Sequence, residues 1–154
     1  MIRLSKYEEL LIKHDYIDIE DKYNLPGNFK GFYDNDVILV DSKLNTYQKH
    51  EILAEEIAHY KISAGNILDQ SNMLNRKFEL KARRLANETV ISLQGLINAF
   101  NYGVQNLFEL ALYFEVTKAF VLDTIQHYKQ KYGLSVSYGG YIIKFEPLTI
   151  YKNI

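Results

Sequence analysis

The amino-acid sequence predicts an α+β fold in which helices predominate. Three observations support this prediction. The chain has 154 residues, the length of one domain or of one domain with a small appendage. Apolar residues recur at helical spacing over most of the chain, and two pairs of short β-rich runs flank turn sequences. The hydrophobic fraction of 47% and the presence of only 2 prolines are typical of a globular protein rather than a disordered or fibrous one.

A short helix and a β-hairpin are predicted at the start of the chain. Ser5 and Glu8 form a capping-box pattern that opens the helix. Pro26 and Gly27 follow, and this pair interrupts regular secondary structure. Two β-rich runs, at residues 31–33 and 37–40, then flank a polar turn, which is typical of a hairpin.

Two longer helices are predicted next. The first is expected to begin at residues 45–46 and to end near Gly65, and Asp69 or Asn72 can cap the second. The second helix carries an apolar stripe, and it extends or restarts before Gly103 closes it. The stripe consists of Leu74, Phe78, Ala82, Leu85, Thr89 and Leu93.

Two short helices and a second hairpin are predicted toward the C-terminus. Asn106 and Glu109 form another capping-box pattern, Thr117 can cap the following helix, and Gly133 ends it. The glycine pair at 139–140 separates two β-rich runs, which indicates a hairpin.

Composition excludes several kinds of site. The chain has no cysteine, so it has no disulfide, no thiolate nucleophile and no Cys-based zinc or iron–sulfur centre. A metal would have to be held by carboxylates and by the 4 histidines. The net charge of −1 gives no overall attraction to nucleic acid or to a membrane. Because no apolar run approaches about 20 residues and no signal-peptide pattern is present, we expect a soluble, cytoplasmic protein.

The most informative stretch for chemistry is residues 52–60. On a helix, Glu55, Glu56 and His59 lie within an arc of about 100°. This arrangement corresponds to half of the His-Glu-x-x-His pattern, in which two histidines bind Zn²⁺ and the glutamate acts as base. His59 takes the second ligand position and Glu56 takes the position of the base. Glu55 stands where the first histidine would be, and glutamate is also a zinc ligand.

Glu79, on the next predicted helix, is the candidate for the third ligand. It shares a face with Ala82, Ala86 and Val90, whose small side chains would allow another helix to approach closely. A carboxylate at the edge of an apolar face needs a partner, and a metal is one. Because a Glu-Glu-x-x-His match is common by chance, a purely structural role for His59 stays open from the spacing alone.

The other three histidines are expected to lie outside such a site. His50 precedes His59 by nine residues and faces the other way round the helix. His14 and His127 have no candidate partners nearby in the sequence, so we interpret both as structural residues.

Eight segments of the chain form a pattern that extends well beyond the candidate metal ligands. They are residues 52–60, 65–68, 79–86, 96–100, 106–111, 116–117, 128–133 and 141–143. Together these segments resemble the ImmA/IrrE family of metallopeptidases. Their order and spacing cover nearly the whole chain. The resemblance implies a minimal zincin-like metallopeptidase core over residues 1–103. Helix-turn-helix-like helices and the C-terminal hairpin follow over residues 104–154 and are expected to pack on the core as one unit.

The resemblance also implies a function. It points to a zinc-dependent endopeptidase that cleaves a helix-turn-helix repressor of a phage or integrative element. Position by position, Glu56 becomes the general base, and His59, Glu79 and Glu55 become the metal ligands, with Glu55 replacing the usual histidine. Two carboxylates and one imidazole neutralise Zn²⁺ more fully than two imidazoles and one carboxylate, so water bound to it is acidified less. Metal preference then shifts toward harder ions such as Mn²⁺.

Two alternatives remain open from the sequence. One is a non-catalytic antirepressor of the same family, which binds the repressor without cutting it and has a degenerate, metal-free site. The other is a DNA-binding regulator, because residues 106–114 and 118–131 resemble a helix-turn-helix. Residues 104–133 carry three basic and three acidic side chains, however, whereas a groove-reading helix is expected to be basic. Charge therefore argues against direct binding of nucleic acid. The basic segment 76–84 is the stronger patch, and a solvated face also explains it.

Overall fold

The computed structural model describes residues 3–64 and 72–153 of the chain, without the side chains of 64 and 72–75. These residues confirm the α+β fold. The elements are α1 (Lys6–Lys13), β1 (Asp18–Glu20), β2 (Gly31–Asp34), β3 (Val37–Val40), α2 (Thr46–Ala64), α3 (Asn72–Val90), α4 (Leu93–Tyr102), α5 (Leu107–Phe114), α6 (Lys118–Tyr132), β4 (Ser135–Tyr138), β5 (Tyr141–Phe145) and β6 (Leu148–Lys152).

The chain divides into two compact units, Met1–Ala86 and Asn87–Ile154. The division into residues 1–103 and 104–154 that the sequence suggested stays a prediction. The predicted helix end at Gly65, the predicted cap at Asp69 and the segment 65–68 of the family resemblance lie outside the described residues. Among the residues that the structure does describe, no helix is both long enough and apolar enough to cross a membrane.

The first unit contains a three-stranded sheet in the order β1-β3-β2. The predicted hairpin is confirmed, because β2 and β3 pair antiparallel from Gly31 opposite Val40 to Asp34 opposite Val37. Asn35 and Asp36 form its two-residue turn with φ angles of 49° and 63°. This left-handed conformation is one that Asn and Asp tolerate better than most residues. Strand β1, which pairs parallel with β3, was not predicted.

Helix α2 packs against α1 and against strands β2 and β3. Its start is fixed by a reciprocal pair of hydrogen bonds. Asn45 Oδ1 accepts from the Gln48 N–H at 2.9 Å, and Gln48 Oε1 accepts from the Asn45 N–H at 3.1 Å. The apolar core of this unit draws on α1, the sheet and α2, and it comprises Tyr7, Ile17, Ile38, Val40, Leu53 and Ile57.

Helix α3 confirms only part of the predicted apolar stripe. Ala82, which belongs to the stripe, and Ala86, on the face of small residues, are fully covered, whereas Leu85, another member of the stripe, is 39% exposed. The buried face is therefore the face of small residues that Glu79 adjoins. Helix α3 ends at Val90 and α4 begins after the cap residue Ser92, so the second helix restarts rather than extends.

The second unit combines α4, α5 and α6 with a sheet in the order β4-β5-β6. The predicted caps are confirmed: the side chain of Asn106 accepts from the N–H of Glu109, and that of Thr117 accepts from the N–H of Phe120. The helix-turn-helix-like pair α5 and α6 contributes buried residues to the core of this unit, among them Phe114 and Val121. The predicted second hairpin is formed by β4 and β5, and β6 adds a strand that was not predicted.

Candidate metal centre

Helix α2 presents two faces of different chemistry. Leu53 and Ile57 are buried in the core of the first unit, while Glu55, Glu56 and His59 border a cavity. Residues four positions apart lie one above the other on a helix, so Glu55 and His59 are neighbours on that face. The core contacts of Leu53 and Ile57 therefore fix the rotation of the helix that turns the polar residues toward the cavity.

Three of the side chains predicted for the site come together. Glu55, His59 and Glu79 each offer a ligand atom, and these atoms all lie within 4.8 Å of one another. His59 Nε2 and Glu79 Oε2 lie 3.2 Å apart. The side chain of His59 is 15% exposed and that of Glu79 is 62% exposed. Ligands held at about 2.0–2.2 Å from one ion lie about 3–4 Å apart, so small side-chain movements would complete such a set.

Glu56 lies beside this cluster and is almost fully buried. Loss of hydration raises the pKa of its carboxyl group to about 8, and the negative charges of Glu55 and Glu79 act in the same direction. Burial favours the neutral form of a carboxyl group, and like charges nearby do the same, whereas a cation would favour the ionised form. The chemistry of the donors and the buried carboxyl group beside them both fit a divalent cation.

The cavity in front of the cluster has a volume of about 550 Å³. One side is acidic and comes from α2 and α3, and the other side comes from β2 and the loop before it. Aromatic residues are prominent on this second side. The lining consists of Asn28, Phe29, Lys30, Gly31, Phe32, Tyr33, Ile52, Glu55, Glu56, His59 and Glu79.

Strand β2 is an edge strand within the part of the chain that the structure describes. In a two-residue hairpin the residues that flank the turn form a hydrogen-bonded pair, and such pairs then alternate along the ladder. The hydrogen bond of 2.8 Å from the Asp41 N–H to the Lys30 carbonyl fits this alternation. The backbone N–H and C=O groups of Gly31 and Tyr33 therefore point away from β3, toward the open edge.

Gly31 brings β2 close to the acidic side of the cavity. A Cβ atom at this position would lie 2.5 Å from Ile52 Cγ2 and 3.1 Å from Glu56 Cγ. No ordinary side chain fits at the first of these distances, so only glycine allows the strand to lie this close to α2. Gly31 was not among the predicted site residues, although a lone glycine in a strand is a known signal of close backbone approach.

Comparison with known families identifies the chain. The family described as the IrrE N-terminal-like domain, Peptidase_M78, matches residues 10–126. The chain belongs to the ImmA/IrrE family. Membership confirms the resemblance found in the sequence, and it supports a metallopeptidase-type function with a protein substrate and a divalent metal. No significant match exists among curated proteins or among solved structures.

The remaining histidines of this ImmA/IrrE protein lie outside the cluster. His14 Nδ1 is 3.0 Å from the Leu10 carbonyl oxygen, and His127 Nε2 is 2.7 Å from Glu88 Oε2. His50 is buried. Glu55, His59 and Glu79 form the only group of three or more potential ligands that could hold one ion among the described residues.

Proposed function

We propose that this protein is a zinc-dependent endopeptidase in which Glu55, His59 and Glu79 hold the metal and Glu56 is the general base. The observation that carries the proposal is the convergence of three ligand atoms beside a buried carboxyl group. When bound, the metal supplies Lewis-acid activation of water and of the peptide carbonyl group. Zn²⁺ is the ion we propose, and Mn²⁺ is its main competitor because two of the three ligands are carboxylates.

Glu56 would transfer protons during peptide hydrolysis. Its carboxylate accepts a proton from the attacking water and later donates it to the amine that leaves when the peptide bond breaks. Its buried position in the wall of the cavity supports this role, because a base shielded from bulk water keeps its proton available for the substrate.

The edge of β2 would align the substrate. The N–H and C=O groups of Gly31 and Tyr33 face the open edge and can pair with an extended peptide, as in β-strand addition. The close approach that Gly31 permits would bring such a peptide next to Glu56.

We further propose that the substrate is a helix-turn-helix repressor of a phage or integrative element and that cleavage takes place in the cytoplasm. Family membership supports the coarser part of this proposal, a protein substrate.

Substitution of Glu56 tests the assignment of the base. The Glu56→Gln variant is expected to cleave peptides at least about 100-fold more slowly, because general base catalysis contributes that much or more. It should still bind about one divalent ion per chain, since the proposed ligands are intact. Cleavage can be measured on a mixed peptide library by mass spectrometry, and metal content by elemental analysis.

Glu51→Gln is the matched control, since Glu51 lies on the same helix but does not line the cavity. This variant should cleave like the wild type. If Glu56→Gln also cleaves at the wild-type rate, the assignment of the base is wrong. A wild-type protein that binds no divalent metal and cuts no peptide would instead be a non-catalytic antirepressor, the alternative that Glu55 raises.

A further inference from the structure

Helix α3 carries a compact basic surface next to the candidate metal centre. Arg76, Lys77, Arg83 and Arg84 are all exposed. Leu80 lies between them and is 47% exposed. The two pairs of cations precede and follow Leu80 by three and four residues, so all four are its nearest neighbours on the helix surface. We call these five residues the Leu80 face.

The side chains of the Leu80 face indicate which kind of molecule it can bind. Four cations attract carboxylates or phosphates, but the centre of the face is an apolar side chain with about half of its surface in water. An acidic peptide with one apolar residue could satisfy both parts. A sugar–phosphate backbone would satisfy only the cations, and it would leave the leucine against charged groups. Charge and apolar surface together therefore favour a protein partner.

We propose that the Leu80 face is a docking site for an acidic amphipathic segment of the protein substrate. The segment would place an apolar side chain on Leu80 and carboxylates on the surrounding arginines and lysine. This inference rests on the proposed peptidase function, because it assigns the partner to that reaction. It concerns a surface outside the cavity, however, since none of the five residues lines it.

The position of the face explains what docking would achieve. Glu79, a proposed metal ligand, is adjacent to Leu80 in the chain and borders the cavity. A substrate held on the face would thus have its neighbouring residues close to the cavity. Tethering of this kind raises the effective concentration of the cleavage site without any added contact in the cavity itself.

Binding of a defined peptide tests the proposal. The probe is a fluorescein-labelled helical peptide of about 16 residues in which one Leu has Glu at the positions three and four residues before and after it. All binding is measured by fluorescence anisotropy in the Glu56→Gln background, so that the probe is not cut. Binding is expected at about 50 mM salt and should weaken strongly at about 300 mM, because exposed charges are screened.

Charge reversal on the face should remove most of this binding. Adding Arg83→Glu and Arg84→Glu should weaken it at least about tenfold, and Leu80→Ser should weaken it about threefold or more. The matched control is Lys43→Glu with Lys118→Glu, which changes the net charge equally at exposed positions outside α3. The control should stay within about twofold of the background protein. Circular dichroism checks that each variant is folded.

Several results would overturn the proposal. The first is absence of peptide binding, and the second is an equal loss of binding in the control variant. A third is unchanged binding of a peptide whose glutamates are replaced by glutamines. A DNA duplex of about 20 base pairs that binds more tightly than the peptide, and depends on Arg83 and Arg84, would make the face a nucleic-acid surface.

Wild-type protein that cleaves peptides while the face binds no probe overturns the docking site alone. Probe binding without any cleavage overturns the peptidase function, and it leaves the face as a docking site for an acidic partner that is not a substrate.

Discussion

Glu56, the proposed base, shows how a residue suited to catalysis can oppose the stability of the fold. Its burial and the negative charges of Glu55 and Glu79 nearby both work against its ionised form. A core residue chosen for stability would be apolar at such a position. Carboxyl groups with raised pKa values in a cavity are typical of functional sites rather than of solvated helix faces.

His14 links the stability of the fold to pH. It is buried, and loss of hydration lowers the pKa of its imidazole. The hydrogen bond to the Leu10 carbonyl opposes this shift, while the charges of Lys61 and Lys13 add to it. Between the lowered pKa and the normal value of about 6.5, the unfolded state binds more protons than the folded state. The contribution of His14 to stability is therefore present above that range and is lost as the pH falls through it.

We expect the wild type to lose more unfolding free energy than the His14→Gln variant between about pH 7 and about pH 5. Glutamine cannot titrate in this range but can still donate a hydrogen bond to Leu10. Urea denaturation of both proteins at the two pH values measures the difference. Equal losses would show that the protonation of His14 is not coupled to folding.

Among the elements, the contact between β2 and α2 determines the shape of the candidate site. The strand forms one side of the cavity and the helix the other, and Gly31 is where they come closest. The helix could be predicted from local signals, because its spacing and its cap at Asn45 are contained in a few consecutive residues. The side of the cavity formed by β2 could not, because it depends on which strand lies at the edge.

The difference between local signals and long-range pairing also explains why strands β1 and β6 were not predicted. Strand β1 has only three residues, Asp18–Glu20, too few for an alternating pattern. Strand β6 follows Pro147, which is more typical of the end of a strand region than of its continuation. Both strands are recognisable only from their partners in the sheet. Glu79 was found because its helical face of small residues is a local pattern, although its position beside His59 is a long-range contact.

Replacement of Gly31 tests the close approach. Gly31→Ala is expected to lower the unfolding free energy by about 1–3 kcal/mol through overpacking. It should also slow peptide cleavage, because the new methyl group presses on Glu56. The double variant Gly31→Ala with Ile52→Ala removes the nearest atom, Ile52 Cγ2, and should lose less than the sum of the two single changes. A Gly31→Ala protein with wild-type stability and activity would contradict this packing.

For the whole molecule, the proposed ligands connect parts of the chain that are distant in sequence. Glu55 and His59 lie on α2, and Glu79 lies on α3, with residues 65–71 between the two helices. A metal that binds all three in the folded state, and fewer in the unfolded chain, must stabilise the fold. The protein should therefore respond to metal as a whole, and not only in its activity.

Metal is expected to raise the melting temperature. A free metal concentration of about 100 times the dissociation constant stabilises the folded state by about 2.7 kcal/mol. For a protein of this size each kcal/mol corresponds to a few degrees, about 2–4 °C. Thermal unfolding followed by circular dichroism with Zn²⁺, with Mn²⁺ and with a chelator measures the shift. His59→Gln should abolish it, and a wild-type protein that melts identically in all three conditions would not have the proposed site.

The tyrosines around the candidate site make its occupancy visible without a label. Tyr60 follows His59 in α2, and its ring meets that of Tyr33 edge to face, with ring centroids 6.0 Å apart. Tyr33 in turn lines the cavity. The chain has 13 tyrosines and no tryptophan, so tyrosine emission is not transferred to indole rings. Binding of an ion or a peptide beside Tyr33 is therefore expected to change the tyrosine emission of the protein, and intrinsic fluorescence can test this directly.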